Sequence, residues 1–291
     1  MHEAQLEQTF STLQPRLVRL AYRMLGSLAD AKDVVQEAWL RWLAADRNSV
    51  REPAAFLHTI VANLCLNELK SARRRRETYV GPWLPDPLIE DEGQELFDDM
   101  SLPLMIALER LSPPERAAFL LHDIFGMSFD DVALAIGRNA AACRKLASRA
   151  REHVRRECPR FPVPQEHGRE IAEAFYAASR TGDLTRLRTL LADDVVAQSD
   201  GGGKVSASPH PLVGIQAVMK RHAQLAEEFK AMPSRLIRHV VIDGLPGFIT
   251  LEAGEVLQTT ALQIEHGKIK AIYIIRNPDK LRHVQGAVWR S

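Results

Sequence analysis

The stretch SFDDVALAIGRNAAACRKLASRAREHVRR, residues 128–156, constrains the fold more than any other part of the chain. It predicts two helices joined by a very short turn, a helix-turn-helix pair. Ser128 can cap the first helix, with Asp131 three residues on in the manner of a capping box. Phe129, Val132, Ala133 and Ile136 then recur at helical spacing. Gly137 suits the left-handed backbone of a helix C-terminus, and Asn139 can cap the next helix. In that second helix Cys143, Leu146, Ala147, Ala150 and Val154 form an apolar stripe, opposite Arg144, Ser148, Arg151 and Arg155. Such a helix can pack its stripe on its own domain and turn its basic side into a DNA major groove.

An ordinary surface helix is also amphipathic and often basic. The charge is what favours DNA. From 138 to 160, Arg138, Arg144, Lys145, Arg149, Arg151, Arg155, Arg156 and Arg160 face only Glu152 and Glu157, while the whole chain carries a formal +1. The basicity is placed, not general. Arg138, Asn139, Arg144, Lys145, Ser148, Arg149 and Arg151 are therefore the positions expected at DNA.

A length of 291 residues suggests two or three domains, and 46% apolar with 26% charged residues is ordinary for globular protein. The N-terminal MHEAQLEQTF has no basic-then-apolar leader pattern, and no apolar run approaches a membrane span, so a cytoplasmic protein with no membrane contact is expected. Cys65, Cys143 and Cys158 lack paired spacing and read as reduced thiols rather than a disulfide frame or zinc site. No Gly-rich phosphate loop is present, and no cofactor or metal is expected.

Towards the N-terminus, Leu6, Phe10, Leu13, Leu17, Leu20 and Met24 predict a long helix that Gly26 and Ser27 break. DAKDVVQEAWLRWL predicts a second, with Val35, Ala38, Trp39 and Trp42 inward and Asp33, Gln36, Glu37 and Arg41 outward. A polar loop at 46–52 precedes Pro53, which suits a helix start. The third helix carries Leu57, Ile60, Val61, Leu64 and Leu69 and ends in Arg73, Arg74, Arg75 and Arg76. Four arginines exceed what a helix C-terminal dipole needs, which points to phosphate contact.

Three segments, DAKDVVQEAWLRW, EPAAFLHTIVANLCLNELKSARRRR and LSPPERAAFLLHDIFGMSFDDVALAIGRNAAACRKLASRARE, together resemble a group IV (extracytoplasmic-function) bacterial sigma factor. The first two match its region two and the third its region four. The resemblance implies that Asp33, Gln36 and Glu37 dock on the β′ clamp helices of core RNA polymerase. It implies that the 46–52 loop and the third helix, with Asn63, melt and hold the −10 element, and that region four reads the −35 element beside the β flap.

Residues 79–101 read as an acidic, proline-containing linker, in which WLPDPL is extended and stiff. An exposed Trp-Leu pair between prolines is odd in a tether, so Trp83 and Leu84 are expected to dock on the polymerase. Ser112, Pro113 and Glu115 predict a capped helix start.

Pro159, Pro162 and Pro164 mark a boundary. HGREIAEAFYAASRTGDLTRLRTLLADDVV then reads as two helices around Gly182-Asp183, with a third helix near 214–228. LIRHVVID, GFITLEA, EVLQTTALQIE and KIKAIYIIR read as strands, with turns at 252–254 and 266–267. This half is similar to the SnoaL-like branch of the nuclear-transport-factor-like fold, an α+β cone. Asp200, His222 and His239 are acid–base candidates by residue type alone. WLPDPL, DGGGK (Asp200, Gly201, Gly202, Gly203, Lys204) and NPDKL (Asn277, Pro278, Asp279, Lys280, Leu281) resemble signatures of sigma factors with a fused SnoaL-like extension. In that subgroup the extension regulates sigma activity, which implies that these ten residues make interdomain contacts.

The expected architecture is multidomain: region two at 1–78, the linker at 79–101, region four at 102–160 and the cone at 161–291. Two all-α sigma domains precede an α+β cone. The expected role is an alternative sigma factor, not an enzyme. It binds core polymerase and promoter DNA and is controlled in cis, with an unidentified ligand or protein at the C-terminal domain left open. A one-component DNA-binding regulator with a ligand-sensing domain, and a cyclase- or isomerase-like enzyme fused to a DNA-binding half, are the rivals.

Overall fold

The computed structural model describes residues 2–45, 50, 52–90, 101–157, 164–252 and 255–288, with side chains from 7 to 70 and from 78 to 286 within those ranges except that of 157. The chain forms two compact units, residues 1–77 with 104–158, and residues 78–103 with 159–291.

The first unit is helical. α1 (His2–Leu25), α2 (Leu28–Ala44) and α3 (Pro53–Glu77) pack on one another. Phe10, Leu17, Leu20 and Met24 of α1 are buried as their spacing predicts, and Leu13 is half-buried. Ser27 caps α2 by accepting from Asp30 N at 3.3 Å. Val35, Ala38 and Trp42 are buried. Trp39 is half-buried with its ring 4.8 Å from Phe10, so the α2 tryptophans are packing residues. Most of the 46–52 loop and the side chains of Arg73, Arg74, Arg75 and Arg76 lie outside the described residues. Cys65 and Cys143 are buried free thiols, and burial pushes Cys65 up from its ordinary range; Cys158 lies outside the described residues.

α4 (Leu102–Glu109), α5 (Pro113–Phe119), a π-helical turn (Leu120–Ile124), α6 (Phe129–Ile136) and α7 (Ala140–Glu157) complete this unit. The Ser112–Glu115 capping box forms as read. α3 packs on α5 and α6, so the two halves of this unit share a core. His58 of α3 lies 5.4 Å from the Phe125 ring, and the Arg23 guanidinium sits 5.9 Å from the same ring. Arg116, 2% exposed, donates to Met24 O at the end of α1 and to Glu109 at 2.7 Å.

The second unit is α+β. Its sheet runs in the order β1 (Ile89–Glu90), β4 (Arg235–Ile242), β5 (Leu245–Glu252), β6 (Val256–Glu265), β7 (Lys268–Ile275), β2 (Leu191–Asp200), β3 (Leu212–Val213). All neighbours are antiparallel except β2 with β7. α8 (Gln165–Thr181), α9 (Leu184–Leu190) and α10 (Ile215–Ala231) cover one face, burying Phe175, Leu187, Val218, Phe248 and Leu262 together. α11 (Arg282–Val288) follows β7.

The four β-branched segments form β4 to β7 as expected, and His266-Gly267 makes the last turn with φ of 50° and 72°. The turn expected at 252–254 falls largely on residues outside the described set. The sequence pattern places LADDVV in the second helix, yet α9 stops at Leu190 and Leu191 opens β2. No glycine or proline separates them. Pairing with β7 supplies the ladder, and Val195 and Ala197 turn into the core. β1 lies within the stretch read as a linker, and residues 78–103 belong to this unit.

Candidate functional site

Two sets of residues carry functional geometry. In the first unit, Ser128 accepts from Asp131 N at 3.1 Å, Gly137 takes φ of 66° at the end of α6, and Asn139 Oδ1 accepts from Ala142 N at 2.8 Å. Each terminus is closed locally, which sets the angle between α6 and α7. Cys143, Ala147 and Ala150 are buried, with Leu146 and Val154 half-buried beside them.

The opposite side of α7 is uneven. Arg138, Lys145 and Ser148 are exposed. The Arg144 guanidinium lies 5.6 Å from the Phe129 ring, which itself stacks on His122. Arg149 pairs with Glu115 at 3.1 Å and Arg151 with Asp123 at 2.5 Å. These exposed pairs are weak and can be exchanged for phosphate. Asn139 commits one lone pair of its side-chain oxygen to the cap and keeps its amide donors for another contact. Asn63 on α3 is exposed and donates to Thr59 O at 3.0 Å. On α2, Asp33, Gln36 and Glu37 are exposed, and Glu37 pairs with Arg41 at 2.9 Å. Leu40, which the sequence pattern does not single out, is 55% exposed on α2.

The second set gathers the three signature segments inside the second unit. Asp200, at the end of β2 and fully buried, is their centre. Its carboxylate accepts from Tyr79 OH at 2.5 Å, Leu84 N at 2.9 Å, Gly202 N at 3.1 Å and Lys280 Nζ at 2.8 Å. Lys280 also donates to Leu84 O and lies 4.0 Å from the centre of the Trp83 ring. Asn277 Nδ2 donates to Tyr79 OH at 2.8 Å, and His283 Nε2 lies 2.7 Å from Pro87 O. Burial, then the hydrogen bond to Asp200, pushes the Tyr79 phenol up from its usual range. Lys204 pairs with Asp279 across the same ends.

Gly202 shows why glycine is needed there. Its φ is +61°, and a Cβ would stand 2.2 Å from Asn277 Nδ2. Pro278 is half-buried and Leu281 fully buried. A second anchor lies at Asp243, which exchanges hydrogen bonds with Leu88 and whose backbone oxygen accepts from Leu102 N at 2.9 Å. Burial raises the Asp243 carboxyl well above the usual carboxylate range.

Trp83 and Leu84 are held here by residues of the chain's own second unit. Leu84 is 1% exposed, its backbone bonded to Asp200 and Lys280. The acid–base candidates are not brought together. Asp200 is consumed by the clasp, His222 lies edge-on to Phe175, and His239 lies edge-on to Tyr176 and Phe248. Burial, with Arg180 and Arg221 adding to it, pulls His222 down to about 4, so it is neutral at pH 7.

Among the described residues no helix is long and apolar enough to cross a membrane. The family profile of Sigma-70 region 2 matches residues 9–75, and that of Sigma-70, region 4, matches residues 102–154. The chain is similar to the ECF RNA polymerase sigma factor SigJ of Mycobacterium tuberculosis (strain H37Rv), 37% identical over 93% of this chain and 91% of that protein. It is also similar to the ECF RNA polymerase sigma factor SigG of the same strain, 31% identical over 62% of this chain and 57% of the relative. The crystal structure of the Mycobacterium tuberculosis extracytoplasmic function sigma factor SigJ superposes with a TM-score of 0.76 at 33% identity, covering 94% of this chain and 98% of that one.

Proposed function

Since this chain belongs to the extracytoplasmic-function sigma factors, and is an alternative sigma factor of core RNA polymerase and promoter DNA, we propose that its C-terminal cone controls it in cis through the clasp on Asp200. The observation that carries this reading is the burial of Leu84 between Asp200 and Lys280. While the clasp is closed, the segment joining regions two and four is held by the cone and withheld from polymerase. Opening it frees Trp83 and Leu84 to dock.

The finer contacts follow the same reading. Asp33, Gln36 and Glu37, with Leu40 beside them, form the face for the β′ clamp helices. α3 with Asn63 and the run from Arg73 to Arg76 holds the melted −10 strand, while α7 enters the −35 major groove and region four meets the β flap. Arg138, Arg144, Lys145 and Ser148 are the first contacts, and Arg149 and Arg151 join by releasing Glu115 and Asp123. The −10 and −35 elements are separate stretches of DNA, so the shared core of α3 with α5 and α6 must part when both are read at once.

The test is open-complex formation with core polymerase by three forms at equal folded concentration. A chain ending at Arg276 loses Asn277, Lys280 and His283 from the clasp and is expected to be more active than the full chain. A chain ending at Arg160 is expected to be less active, because it also loses β4, the strand that pairs with β1, and with it the supporting contact of the cone. Equal activity in all three forms removes the regulatory reading.

DNA contact by α7 has its own measurement. Lys145→Ala is expected to weaken promoter binding and lower the slope of log affinity against log salt by about 1, if the ammonium sits on a phosphate. Arg144→Ala is expected to cost about 1–3 kcal/mol in discrimination if it reads a base edge. Unchanged promoter binding by both variants counts against α7 as the reading helix.

A further inference from the structure

The cone holds a partly open cavity of about 470 Å³ between α8, α10 and the sheet. That is within the range of small-molecule sites. Phe175, Phe229, Phe248, Val218 and Ile272 supply an apolar lining. Its charged groups are three arginines, Arg180, Arg221 and Arg276, and two glutamates, Glu228 and Glu252.

The pairing of those charges is unequal. Arg180 binds Glu252 at 2.7 Å, and Glu252 also accepts from Ser234 and Thr250 at 3.1 and 2.7 Å. The Arg180 guanidinium is further held over Phe229, 4.5 Å from its ring centre. At the rim Arg221 pairs with Glu228 at 2.9 Å. Arg276 is left over. Its guanidinium donates to Ser206 O at 2.6 Å, forms no ion pair among the described residues, and keeps Nε buried without a partner. Burial lowers its pKa, with Arg221 and Arg180 acting in the same direction and Glu252 and Glu228 opposing. An arginine stays protonated all the same, so the wall carries one uncompensated positive charge. His222, neutral at pH 7, adds none, and its Nδ1 is also buried without a partner.

We propose that this cavity binds a small molecule with an apolar body and a single carboxylate, the carboxylate meeting Arg276 and the body lying against Phe175, Phe229 and Phe248. A neutral ligand of the same shape gains the apolar contact but leaves the charge uncompensated. A dianion exceeds the one unpaired cation. A cation meets net repulsion. The site adjoins the clasp, because Arg276 N and Asn277 N both donate to Asp200 O, at 2.8 and 3.0 Å. Binding itself does not depend on the regulatory reading.

The experiment is calorimetric titration of the full-length protein with decanoate and with decan-1-ol, which share a body and differ in charge. Decanoate is expected to bind at least about tenfold more tightly, the size of one charge-assisted hydrogen bond. Arg276→Gln should remove that advantage and leave decan-1-ol unchanged, while Arg276→Lys should keep most of it. Leu225→Trp, which fills the cavity from α10, should weaken both ligands. Saturable decanoate binding that Leu225→Trp leaves intact, equal affinity for the two ligands, or no binding of decanoate overturns the proposal. If Arg276→Gln does not fold, the ligand pair and the other two variants still decide it.

Discussion

Replacing Lys280 by methionine is expected to destabilise the clasped segment by about 3 kcal/mol, the lower end of the cost of breaking a buried ion pair. Among the described residues Lys280 Nζ is the one cation paired with the fully buried Asp200, and both side chains are at most 9% exposed. Methionine keeps the length of the stem and much of its contact with Trp83, so the loss isolates charge and hydrogen bonds. Asp200 keeps three donors, Tyr79, Leu84 and Gly202, and these set the limit on the damage. Hydrogen exchange reads the result at the Leu84 amide, where a loss of about 3 kcal/mol is roughly a hundredfold in protection. The double variant Asp200→Asn with Lys280→Met should recover part of the loss, because no charge is then buried unpaired. Unchanged protection at Leu84 would show that the ion pair does not hold the segment.

Arg116→Leu is the second large effect expected, about 3 kcal/mol on the helical unit. Its guanidinium, 2% exposed, satisfies Met24 O at the open end of α1 while pairing with Glu109. A helix end left with a buried, unpaired carbonyl costs about 1–3 kcal/mol, and loss of the ion pair adds to it. The residue also ties region two to region four, since α1 belongs to one and α5 to the other. Urea unfolding followed by Trp39 and Trp42 fluorescence should shift to lower midpoint, and small-angle scattering should show expansion before unfolding. Wild-type midpoint and dimensions would mean that the Phe125 contacts with His58 and Arg23 suffice to hold the two regions.

The helix-turn-helix was legible because all its instructions are local. Ser128 and Asn139 each cap through a group three residues away, and Gly137 acts through its own φ. The apolar stripe of α7 and the inward face of α2 follow from 3.6-residue spacing alone. β4 to β7 announced themselves by β-branched residues between turns. The three signature segments could be picked out from their residues, but what they touch could not. Asp200 meets Leu84 and Lys280 across 116 and 80 positions, and sequence spacing holds no information about such encounters. The sheet creates the meeting point by laying β2 beside β7, so that the ends of both strands and the start of NPDKL converge. The same parallel pairing turned LADDVV from an expected helix into a strand, since a ladder with a distant partner outweighs local preference. Tertiary structure also decided which charges are committed. Arg149 and Arg151 found acids on α5 and the turn after it, Arg180 found Glu252 from 72 positions away, and Arg276 found no carboxylate among the described residues. Charge composition counts such groups, but only packing pairs them, because burial raises the cost of every charge the fold leaves alone.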